Sequence, residues 1–131
     1  MKSPEQELYD YFYALSEKTG WTTYDHLPMK NENAPYPFVV VGNMESTSGG
    51  TKTSLNSNIS LIIDVWGNAK QRLVVSNMAE RFFRTAIGLV ETDDYRFFGS
   101  INEQDKQLMQ DTTVPDTVLN RGMVTLNLKM I

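Results

Sequence analysis

The chain has 131 residues, a length that fits one domain able to bury its own core. Hydrophobic residues make up 40%, aromatics 11% and charged residues 21%, which is globular composition and excludes disordered and fibrous classes. The absence of cysteine excludes disulfides, thiolate nucleophiles and cysteine zinc sites, and the net charge of -4 makes a poor nonspecific nucleic-acid binder.

The charge is unevenly spread. Residues 1–50 and 91–131 are acidic, whereas residues 51–90 carry Lys52, Lys70, Arg72, Arg81 and Arg84 against only Asp64 and Glu80. Unlike charges on different faces suit contacts between copies of one chain; a scattered solvated surface is the competing reading. No apolar signal core follows the N-terminus, and the aliphatic runs Val39 to Val41 and Leu61 to Ile63 are far too short to span a membrane.

Ser3-Pro4-Glu5-Gln6 predicts a helix over residues 4–18, with Ser3 as cap, Pro4 in the first turn, Gln6 completing a capping box and Gly20 as the stop. Leu8, Phe12 and Leu15 form its apolar stripe. Trp21 to His26 reads as a short extended segment and residues 28–35 as a polar loop. The continuous run Tyr36 to Gly42 reads as a strand buried on both faces. Residues 43–57, rich in Ser, Thr and Gly, read as a long flexible loop.

Leu55 to Trp66 is the clearest strand, with Ile59, Leu61, Ile63 and Val65 on one face. Gly67-Asn68 ends it. Residues 69–90 have helical period, with Val75, Met78, Ala79, Phe82, Ala86 and Leu89 inward and Glu80 placed to pair with Arg84. Residues 95–101 and 106–111 read as strands joined by a tight turn, and Leu119 to Ile131 as a last strand with Val124, Leu126 and Leu128 inward. The expected fold is a single α+β domain over residues 1–131: a mainly antiparallel sheet with one long internal helix and an N-terminal helix packed on it.

Catalytic constellations are missing from the sequence. His26 is the only histidine and has no nucleophile motif near it. Asp93-Asp94 would point opposite ways in a strand and be solvated in a turn. Gly49-Gly50-Thr51-Lys52-Thr53 lacks the order and the following helix of a phosphate loop. The Tyr9, Tyr11, Phe12, Tyr13 cluster sits among acidic residues that would repel phosphate. No cofactor, metal site or enzymatic activity is expected.

Three stretches together carry a resemblance. They are Tyr24 to Pro28 followed by Tyr36 to Gly42; Thr51 to Ser54 leading into Ile59 to Trp66; and Gln110 to Thr113 followed by Asn120 to Leu126. In order and spacing the chain resembles, over residues 5 to 131, the tail-terminator (tail-completion) proteins of siphophage and prophage structural gene clusters. The resemblance implies an α+β subunit of a homo-hexameric ring on the head-proximal end of the tail tube. Such a ring ends tube growth and docks the head connector or head-completion protein, with DNA passing only through its lumen. It implies a virion protein at the tail-head junction, assembled in the host bacterial cytoplasm.

Under that reading the 43–57 loop meets the tube or a neighbouring copy through Thr47, Ser48, Thr51, Lys52 and Thr53, while Lys70, Arg81 and Arg84 make inter-subunit charge contacts. Head-completion and stopper proteins of the phage neck share the size and pattern. A small-ligand-binding α+β domain would need a deep pocket with convergent polar groups.

Overall fold

Ser3 starts the first helix: its backbone is extended and its hydroxyl accepts the Gln6 amide at 3.2 Å. In the computed structural model, which describes residues 2–29, 32–48 and 57–131, this helix, α1, spans Pro4–Lys18 as expected. The capping box is only half made. Gln6 Nε2 donates forward to Asp10 Oδ1 at 2.9 Å, the neighbour one turn along, instead of reaching back. Gly20 ends the element in the left-handed region at φ 92, where glycine bears no Cβ penalty.

The remaining elements are β1 (Thr22–Tyr24), β2 (Phe38–Ser48), β3 (Ser57–Gly67), α2 (Arg72–Thr85), β4 (Gly88–Glu91), β5 (Arg96–Gly99), β6 (Asp105–Asp111) and β7 (Leu119–Met130). They build a seven-stranded sheet in the order β1-β2-β3-β7-β5-β4, with β6 also paired to β7. Only β1 and β2 are parallel; every other pairing is antiparallel. The fold is α+β, as expected.

Three boundaries differ from the sequence reading. Part of the expected loop at 43–57 is strand: β2 continues through Ser48 and β3 begins at Ser57, pairing Glu45 with Ser60 and Thr47 with Asn58, while residues 49–56 lie outside the described residues. A register shift between Val41 and Met44 lets the strand resume after Gly42 and Asn43. Hydroxyl residues suit a strand that a neighbour already pairs, and composition alone hid this.

The expected helix at 69–90 is shorter. Asn68 and Gln71 hold a turn ahead of it, Asn68 Oδ1 accepting the Lys70 amide and Gln71 Oε1 the Asn68 amide, both at 2.9 Å. After Ala86 the chain turns at Gly88 (φ 91) and runs out as β4. Val90 faces inward in either conformation, so its apolar character could not separate them. Finally, β5 and β6 do not pair with each other. A 3-10 turn at Ile101–Glu103 separates them, and each takes part of the same β7 edge.

The core lies between one sheet face and the two helices. Ile59, Leu61, Ile63 and Val65 face it beside Val39 and Val41 on one flank and Val124, Leu126 and Leu128 on the other. Leu8 and Phe12 of α1 and Val75, Met78, Ala79 and Phe82 of α2 close it. Each of these side chains larger than alanine contributes about 1.5–3 kcal/mol on burial. The core register inferred from alternation is the one observed.

Candidate interaction surface

Strand alternation that turns one face to the helices turns the other outward. No helix among the described residues covers that second face. Across it run two rows of neighbours: Thr22, Phe38, Trp66, Arg121 and Met109, then Tyr24, Val40, Asp64, Met123 and Gln107. Phe38 and Val40 are buried there by their flanking side chains, and Trp66, Arg121 and Met123 are half-buried. Tyr24 and Tyr36 pack on the Phe38 ring with centroids at 5.6 and 5.3 Å.

One charge pair holds the middle of this face. Arg121 Nε donates to Asp64 Oδ1 at 2.9 Å, and the guanidinium lies 4.9 Å from the Trp66 ring centroid. A charge-assisted bond and a cation over an aromatic face fix Arg121 from two directions. One hint of it is legible in the residue order: Ile62, Asp64 and Trp66 alternate against the apolar face of the same strand.

At the β1 edge, Pro28, Met29, Asn33, Ala34, Tyr36 and Phe38 line an open cavity of about 210 Å³. Asp25, His26 and Glu32 ring this end, His26 Nδ1 lying 2.7 Å from Asp25 Oδ1 and its Nε2 3.7 Å from Glu32. The Asp25 carboxylate raises the His26 pKa above its ordinary value, and Glu32 adds to the effect. At the opposite edge, Leu89 of β4 and Phe98 of β5 stand directly across from each other and are 48% and 49% exposed.

A second acidic cluster lies between α1 and the turn after β4. Burial works against ionising Glu7, but donors at Thr92 and the Asp94 amide, the latter at 2.9 Å, outweigh it and lower its pKa. The neighbouring Glu7 carboxylate in turn raises Asp94.

The residues expected to make contacts fall in different places. Thr47 and Ser48 lie in the β2–β3 hairpin, not in a loop. Thr51, Lys52 and Thr53 lie outside the described residues. Lys70 is exposed in the turn before α2, and Arg81 is exposed on the solvent side of that helix. Arg84 pairs with Glu80 at 3.1 Å as expected, and Lys106 of β6 meets the same carboxylate. Lys70, Arg81 and Arg84 are therefore not on the uncovered sheet face. Reading the sequence missed Leu89 and Phe98, because Leu89 fitted the inner stripe of a helix that ends before it.

Among the described residues, no group of three or more His, Asp or Glu is arranged to hold a metal ion, and no helix is long and apolar enough to cross a membrane. No protein-family model matches the chain, and no curated protein matches it.

Proposed function

We propose that the protein is a structural subunit that caps the head-proximal end of a siphophage-type tail tube. Copies close into a homo-hexameric ring, end tube growth and offer a surface to the head-completion or connector protein, while DNA passes through the lumen without specific binding. The work is done by surfaces and involves no catalytic step. Assembly takes place in the bacterial cytoplasm, and the protein ends at the tail-head junction of the virion.

The observation that supports this reading, beside the sequence resemblance, is the one-sided sheet. Both helices pack on one face, and the other presents half-buried Tyr24, Trp66 and Met123 with the Asp64–Arg121 pair. Half-buried aromatics and an ordered arginine on an uncovered face are the composition of protein contact surfaces. Thr47, Ser48, Thr51, Lys52 and Thr53 remain the proposed contact with tube or neighbour, and Lys70, Arg81 and Arg84 a proposed charge contact on the helical side.

The test is tube assembly in the presence of the purified protein. Tubes polymerised from the tail tube protein of the same gene cluster should stop growing at added protein, with one ring visible at one end by electron microscopy. Tubes of unrestricted length with bare ends would sink the proposal.

A further inference from the structure

We infer that successive copies of this chain join edge to edge, with Phe98 of one copy seated in the cavity beside Tyr36 of the next. The inference deepens the self-association part of the function proposed above and rests on that part alone.

Four observations carry it. The two ends of the strand order, β1 and β4, are different surfaces. At the β4 end, Phe98 and Leu89 form an exposed apolar ridge, and Ile131, whose amide donates to the Arg96 carbonyl at 2.9 Å, extends it. At the β1 end there is a hollow lined by Met29, Ala34, Tyr36 and Phe38, with Met29 68% exposed at its lip. At about 210 Å³ the hollow is smaller than the roughly 300–1,000 Å³ of small-molecule sites and of a size for one large side chain.

Ridge and hollow are on the same side of the sheet. Phe98 aligns with Lys129, which points away from the helices, and Phe38 aligns with Trp66, which does the same. Copies placed side by side therefore keep their uncovered faces turned one way. A ridge on one edge meeting a hollow on the other is a heterologous contact, which closes a ring when the rotation permits.

The charges around the two patches are complementary. Lys129 and Arg96 flank the ridge, with Glu91 only loosely across from Arg96 at 4.0 Å. Asp25 and Glu32 flank the hollow, with His26 between them. A basic rim meeting an acidic rim sets direction, and the like-charged pairing of two ridges or two hollows is disfavoured. The edge strands β1 and β4 have three and four residues, too short for a backbone ladder between copies to dominate the contact.

The chain has no cysteine, so thiols can be placed at will. Purified Leu89→Cys and Ala34→Cys proteins, concentrated and treated with a short bismaleimide, should each stay monomeric on denaturing gels, while their mixture gives a covalent dimer. The double variant should give a ladder of oligomers. Adding Phe98→Glu to the double variant should reduce the ladder about tenfold or more. Arg96→Glu with Lys129→Glu should reduce it too, and Asp25→Lys with Glu32→Lys in the same chain should restore it.

Self-linking of either single variant would show a symmetric contact and overturn the inference, as would a mixture that links no faster than denatured protein. A ladder from a protein that fails to cap tubes would support this interface while removing the tail reading. Capped tubes with no ladder would overturn the interface alone.

Discussion

Gln104 pairs with Asn127 as a strand would. Gln104 Oε1 accepts the Asn127 amide at 2.8 Å, and Gln104 Nε2 donates to the Asn127 carbonyl at 2.7 Å. β6 covers the β7 edge up to Thr125 and β5 resumes at Lys129, so one glutamine side chain bridges the break. Buried backbone groups must find partners, and here a side chain supplies both.

Gln104→Ala should therefore lower stability by about 1–3 kcal/mol, the cost of stranding half-buried donors and acceptors. Gln104→Glu should be at least as damaging near neutral pH, since a carboxylate cannot donate to the carbonyls of Asn127 and Ser100 that Nε2 now serves. Urea unfolding of the two variants checks this; wild-type midpoints for both would show that the bridge contributes nothing.

Gly99→Ala is expected to cost about 1–3 kcal/mol or more, because an added Cβ would lie 1.7 Å from the Ala86 carbonyl oxygen and push β5 away from the end of α2. Gly20→Ala makes a useful contrast. Nothing lies within 4 Å of its Cβ position, so only the left-handed backbone, at about 1–2 kcal/mol, opposes it. Thermal melts that rank Gly20→Ala as the more damaging would contradict the packing described for β5.

Leu61→Asp should cost about 4 kcal/mol or more, since it places an unpaired charge where the side chain is fully buried. Its neighbour Ile62 faces the uncovered side and is half-buried, and Ile62→Thr, which keeps the β-branch, should cost under about 1 kcal/mol. Equal melting shifts for the pair would mean that the helices do not distinguish the two faces.

Asp94→Asn should stabilise the protein at neutral pH but not in acid. The Asp94 pKa is raised by the Glu7 carboxylate, so its protonated form favours the fold. That contribution is complete below the ordinary aspartate pKa and is lost as pH rises through the raised folded value. Asparagine keeps an uncharged group beside Glu7 at every pH. Denaturation midpoints should separate at pH 7 and converge near pH 3; a gap that widens in acid would reverse the assignment.

His26 works in the same direction around a higher pH. Its raised pKa means that the ion pairs with Asp25 and Glu32 help the fold below the ordinary histidine value and fade as pH rises through the raised one. His26→Ala should flatten that part of the stability profile, with a small effect because all three side chains are exposed. An unchanged profile would show that the pairs contribute nothing.

Local signals were legible in the sequence alone. Ser3 and Pro4 set the start of α1, and the alternation of Ile59, Leu61, Ile63 and Val65 against Val124, Leu126 and Leu128 set which side of the central strands is buried. These are properties of a residue and its near neighbours, so composition and spacing record them. What surrounds a residue from afar was decided only by the tertiary structure. The Ser and Thr of the β2 end become strand because β3 pairs with them, and Leu89 leaves its helical stripe because Gly88 turns the chain out to β5. The ridge at Phe98, the hollow at Tyr36 and the Asp64–Arg121 pair, 57 residues apart in sequence, exist because distant segments meet, and no local pattern encodes such a meeting.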